Sequence, residues 1–236
     1  MMKKKNIGKA TRFYICRSKD VISVIILFGI MILGFEYIIY KGFLNNRGEK
    51  SITLILWTLI IGFTLIISNS MIIDLTVKDK LKNRIEFILS SGIDVKDLIK
   101  TYTFEMWRIS SVSTYYLFLF TYFIYDFTRP SGVILNYISA AAMLYFEILF
   151  FNIISLNQKN FKFFKNILFF ATSISIYAVG TFSENILNFL NVYDIDLIHF
   201  INAFNILFLL IFALLSFYNL KKLNNEKIIS TKGEWT

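Results

Sequence analysis

The chain has 236 residues, 56% of them hydrophobic and 18% aromatic, and a formal net charge of +9. Its mean hydropathy of +0.59 lies well outside the range of an ordinary soluble domain. A single cysteine, Cys16, excludes an intrachain disulfide and a cysteine-based metal site, and a single histidine, His199, excludes most zinc and Ser/His/Asp chemistry.

Crossing a bilayer takes roughly 20 mostly apolar residues at a rise of 1.5 Å each. Stretches of about that length recur six times. Residues 1–20 form a basic, amphipathic N-terminal segment. Span one, Val21–Tyr40, follows it with the layout of a secretory signal, but the run is about 20 residues long and no A-x-A-type site comes after it, so it reads as an uncleaved span. The others are Ser51–Ile73, Thr101–Tyr125, Val133–Leu156, Ile167–Phe182 and Phe200–Leu220, with a tail at 221–236. Backbone groups in lipid must be satisfied internally, so the spans are expected to be helices. One proline and ten glycines argue against repeatedly broken helices. The expected fold is therefore an all-α membrane protein with one six-helix domain over residues 21–220.

Segments 1–20, 74–100, 157–166 and 221–236 hold 20 of the 25 Lys and Arg residues. The alternate loops 41–50, 126–132 and 183–199 hold four, and Arg108 lies inside span three. This bias places both termini in the cytoplasm of a multi-pass protein. The positive charge is then a topology signal, and no nucleic-acid partner is expected.

The cytoplasmic loop 74–100 places Leu81, Ile85, Ile88 and Leu89 on one helical face, with Lys78, Lys82 and Glu86 elsewhere on the wheel. Ser90-Ser91-Gly92 breaks the run. Asp94 is placed to cap a helix from Val95, with Asp97 in its first turn, where a carboxylate favours the helix dipole. Such a loop either receives a partner protein or lies as an amphipathic hairpin on the headgroups. The external loop 183–199 has no Lys or Arg yet is too apolar to be fully solvated. It reads as one or two short helices, either re-entrant or interfacial.

Within the spans, Glu147 lies near the middle of span four, on one face with Asn136, Ala140 and Met143. It either lines a path that attracts a cation or proton, or is a structural acid paired inside the bundle. Glu105 and Arg108 are spaced to pair with each other, and Glu36 could reach the headgroups. Thr64 and Ser68 in span two, with Thr172 and Ser175 in span five, complete the candidate path, although small hydroxyl residues also serve helix packing. The phenylalanines are expected to face lipid or fill packing gaps.

Taken together, the basic amphipathic start, the six spans, the helical loop between spans two and three and the element between spans five and six resemble the type-2 permease family of ABC transporters. The closest local match is Arg84-Ile85-Glu86-Phe87-Ile88-Leu89-Ser90-Ser91-Gly92-Ile93-Asp94-Val95-Lys96-Asp97-Leu98. Glu86 matches that family's glutamate and Asp94 its cap, while Gly92 stands where the family usually has proline. The resemblance implies a coupling helix around Ile93–Leu98, with Glu86, Gly92, Ile93, Asp94, Lys96 and Asp97 docking on an ABC ATPase subunit that binds ATP-Mg. It also implies a second permease copy or a related permease, spans two and five facing the translocation path, and a bacterial cytoplasmic membrane. The substrates it implies are amphipathic or hydrophobic molecules such as antimicrobial peptides, moved for export or self-immunity. The chain has no G-x-x-x-x-G-K-[ST] phosphate loop, so no cofactor is expected on it and it is not expected to be an enzyme. The alternative is a stand-alone membrane binding or immunity protein without a motor.

Overall fold

A computed structural model describes residues 2–40, 48–157 and 160–230, and every regular element among them is helical. In chain order these are α1 (Met2–Ile15), α2 (Lys19–Tyr40), α3 (Gly48–Met71), a π-helical stretch (Ile72–Val77), α4 (Lys78–Leu81), α5 (Arg84–Ser90), α6 (Val95–Ile124), α7 (Pro130–Asn157), α8 (Phe161–Val192), α9 (Leu197–Lys222) and α10 (Asn225–Ser230). Among the described residues, four helical stretches are long and apolar enough to cross a membrane: Lys19–Tyr37, Gly48–Leu81, Pro130–Asn157 and Leu197–Lys222. These fit a multi-pass membrane protein. The third and fifth expected spans coincide with α6 and α8, helices of 30 and 32 residues. The apolar character of α6 is diluted by Glu105, Arg108 and the hydroxyl-bearing run Ser110–Tyr116.

The central helix is α3. Its buried residues, from Ile52 and Leu54 through Ile60, Phe63 and Ile67 to Met71, point to every side. A helix apolar all round belongs inside a bundle, and α3 contacts α2, α6, α7 and α8. By contrast α2 and α9 expose Ile30, Leu33, Leu207 and Leu214, the surface expected of helices facing lipid.

Polar side chains fasten one end of the bundle. Thr76 in the π-helical stretch donates to Asn152 Oδ1 at 2.6 Å, and Asn152 Nδ2 donates to Thr103 at 3.1 Å, joining three helical stretches through residues with no solvent exposure. Lys80, also buried, donates to the Leu156 carbonyl. Interhelical hydrogen bonds of this kind are worth about 0.6 kcal/mol on average and up to about 1.7 kcal/mol within membranes. Asn152→Ala removes two at once, so an unfolding free-energy loss of about 1–2 kcal/mol is expected in detergent. An unchanged unfolding curve would show that the triad contributes nothing.

The basic N-terminal segment forms α1, which packs on α6 with Thr11 and Ile15 buried. Arg12 grips both carboxylate oxygens of Glu105 at 3.2 Å, and Arg108 holds the same carboxylate at 2.9 Å. The hydrogen bond to Glu105 raises the pKa of Arg12. The expected Glu105–Arg108 pair therefore exists as part of a three-residue link to α1. Ser18 donates to Asp74, and Lys78 bridges Asp74 and Asp20, fixing the turn into α2.

Three features differ from expectation. Residues 183–192 are not separate short helices; they continue α8 without a break, because Ser183–Val192 contains no glycine or proline. The turn comes only at Tyr193–Asp196, with Asp194 in the left-handed region at φ 51°. The capped helix at Val95 is not a separate short element but the first turn of the 30-residue α6. Glu36, near the outer end of the first expected span, is covered by the chain itself, with 8% of its surface exposed. Of the tail at 221–236, residues 231–236 lie outside the described residues, and Asn225–Ser230 folds as α10.

Candidate functional site

Two places in the fold gather the candidate residues. The first is the end of the bundle carrying α5. Asn83, at φ 54°, redirects the chain from α4 into α5, whose Ile85 and Leu89 are buried as the amphipathic pattern predicts. Phe87 is turned the opposite way and is 76% exposed. Ser90, Ser91, Gly92 and Asp94 are exposed beside it, whereas Glu86, Ile93, Lys96 and Asp97 are half-buried. One Glu86 carboxylate oxygen is buried with no hydrogen-bond partner among the described residues.

Gly92 has φ +82°, a conformation that costs a residue with a Cβ roughly 1–2 kcal/mol. Proline is locked near −65° and cannot adopt it. The glycine at this position therefore belongs to a left-handed turn that a proline would abolish. Asp94 caps α6 as expected, accepting from Lys96 N at 2.8 Å.

The turn is also held from the far end of the chain. Asn225, the first residue of α10, accepts from Val95 N at 2.9 Å and donates to the Ile93 carbonyl at 3.0 Å. On the other flank, Arg84 donates to Tyr14 of α1 at 3.1 Å and reaches Asp79 at 3.3 Å. The result is a braced platform whose most exposed apolar side chain is Phe87.

The second place is a cavity of about 430 Å³ among α3, α7, α8 and α9. Its walls include Trp57, Gly62 and Leu65 from α3, Met143 and Glu147 from α7, Thr172 and Ile176 from α8, and Phe204, Phe208 and Phe212 from α9. Glu147 is packed deep in the protein, retains some accessible surface and lines this cavity. It has no hydrogen bond or ion pair among the described residues, so the paired structural acid is not formed within them. The nearby hydroxyls of Thr58 and Thr172 donate to Leu54 and Phe169 in their own helices.

Of the candidate path residues, Glu147 and Thr172 meet at this cavity. Thr64 is fully buried on the α6 side, 3.0 Å from Thr114, and Ser68 donates to its own helix. Asn136 is buried in a small void against Phe118 and Tyr137, its side-chain amide unpartnered among the described residues. The Ser175 side chain lies outside the described residues.

Sequence reasoning missed the aromatic wall. Phe200, Phe204, Phe208 and Phe212 recur every fourth residue, and their rings are 6.4, 4.4 and 6.1 Å apart in succession. Trp57 meets Phe204 edge-on at 5.4 Å, its indole N–H held by Asn205 at 3.0 Å. The i, i+4 spacing was the available signal.

At the opposite end of the bundle, Glu49 holds Thr128 through its backbone N–H and hydroxyl. Arg129 pairs with Asp196 at 2.7 Å, and exposed His199 joins the same carboxylate at 2.8 Å. Among the described residues no cluster of His, Cys, Asp and Glu is arranged to hold a metal.

Compared with known proteins, the chain matches no family model, no curated protein and no solved structure.

Proposed function

We infer that the chain is the membrane subunit of an ABC exporter, moving an amphipathic or hydrophobic substrate such as an antimicrobial peptide with energy from a separate ATPase. In this reading α2, α3, α6, α7, α8 and α9 are six spans of a bacterial cytoplasmic membrane protein, both termini lie in the cytoplasm, and a second permease copy completes the transporter. The Lys and Arg bias puts the α5 platform on the cytoplasmic side.

The observation that carries this reading is the platform itself. A membrane protein that receives force from a motor needs a rigid protrusion joined to its helices. The α4–α5 segment continues directly from α3, leads into α6, and is braced by α1 and α10. Phe87 offers the apolar anchor such a contact needs, since aromatic side chains are enriched among residues that dominate binding energy. Substrate would pass by the cavity that holds Glu147 and Thr172.

Affinity purification from the native host tests the assignment. The wild-type chain should bring down a polypeptide with a phosphate loop and ATPase activity. Phe87→Arg, which alters an exposed side chain, should leave membrane abundance unchanged and remove that polypeptide. Isolation of the wild-type chain with no ATP-hydrolysing partner would favour the stand-alone binding or immunity protein.

A further inference from the structure

We propose that the cavity among α3, α7, α8 and α9 is a binding site for a lipophilic organic cation, a positive centre carried on an apolar, ring-bearing body. This rests on reading the cavity as a ligand site and is independent of the ATPase.

Three observations converge on that chemistry. The volume of about 430 Å³ is that of a small-molecule site. It is too small for a folded peptide but large enough for a drug-sized ion. Among the described residues the one acidic group in its walls is Glu147, which is deep in the protein, lines the cavity and lacks a partner. No Lys, Arg or His among the described residues lines the cavity beside it. A carboxyl at this depth is costly unless something compensates it, and intramembrane acids as a rule find a partner, a cavity or a ligand.

The third observation is the character of the remaining wall. Trp57, Phe204 and Phe208 form a connected aromatic surface, and ring faces attract cations within about 6 Å of their centres. Carboxylate on one side and rings on the other discriminate by sign of charge as well as by apolar area. An anion of equal size would gain the apolar contacts but meet Glu147 unfavourably. Because Trp57 is oriented by Asn205, part of the wall is preformed.

The test uses the purified full chain in lipid nanodiscs, with empty nanodiscs subtracted. Equilibrium dialysis is run with tetraphenylphosphonium and, separately, with tetraphenylborate, an anion of nearly the same shape. Saturable one-to-one binding of the cation is expected, at least tenfold tighter than any binding of the anion. Glu147→Gln should weaken cation binding at least tenfold and leave the anion unfavoured or improved. Phe204→Leu, which keeps apolar bulk but removes a ring, should weaken the cation severalfold and serves if the first variant fails to fold. Absence of saturable cation binding, as for a cavity filled by lipid, would overturn the proposal. So would equal affinity for both ions, or full cation affinity in folded Glu147→Gln. Because no ATPase is present, failure here leaves the motor assignment standing, and failure of the pull-down leaves this site standing.

Discussion

Removing both arginines around Glu105, as Arg12→Ala with Arg108→Ala, is expected to destabilise the protein more than removing the acid by Glu105→Gln. The Glu105 side chain is 6% exposed, whereas Arg12 and Arg108 are 47% and 40% exposed. Taking away the arginines strands a buried carboxylate. Taking away the carboxylate leaves two cations that can turn to water or headgroups. Breaking a buried pair by removing one partner is strongly destabilising, and solvent screening of the exposed arginines reduces the effect here, so the order of the two losses is the expected signature. The double variant should also free α1, read as faster amide exchange over residues 6–15 with α6 still protected. Greater damage from Glu105→Gln would mean that the acid is anchored by something other than the arginines.

The second large effect is expected at Asn225. Asn225→Ala removes an acceptor from the Val95 N–H, one of the first amides of α6, and a donor from the Ile93 carbonyl. A typical hydrogen bond contributes about 0.5–1.5 kcal/mol, and a buried group left unsatisfied costs about 1–3 kcal/mol. The expected loss of about 2 kcal/mol is local to the platform, so amide exchange over residues 84–95 should accelerate by an order of magnitude or more. Asp94 and the rest of the α6 cap are unaltered, so α6 itself should remain folded. Under the transporter reading, ATPase binding should weaken although Asn225 lies on a different helix from Phe87. Unchanged exchange over residues 84–95 would show that α10 does not brace the turn.

The four helices long and apolar enough to cross a membrane were legible because each rests on a long run of apolar residues, and the Asp94 cap because a carboxylate before Val95 has a single local use. The end of α5 was legible in Ser90-Ser91-Gly92, but the left-handed conformation of Gly92 was not. What the sequence hid depends on contacts between distant segments. Asn225 looks like any polar residue after a span, and its role appears only when α10 folds back on Ile93 and Val95. Glu105 suggested a local pair with Arg108, but the third member, Arg12, is 93 positions away. The continuity of α8 was obscured by Glu184, Asn185 and Asn188, whose polarity suggested a break although all three are compatible with helix. For Glu147, the face shared with Asn136 and Met143 was readable, but whether a neighbouring helix supplied a cation was not. The cavity and its aromatic wall require α8 and α9 to be in place.

Crosslinking from position 87 tests the central claim most directly. A photoactivatable side chain at Phe87 is exposed on the outer face of α5, and the same group at Tyr193, which is 64% exposed at the opposite end, serves as the internal comparison. In native membranes the account predicts a covalent adduct between position 87 and an ATP-hydrolysing polypeptide, and none from position 193. Adducts from position 87 confined to lipid, or the ATPase captured from position 193 instead, would contradict it.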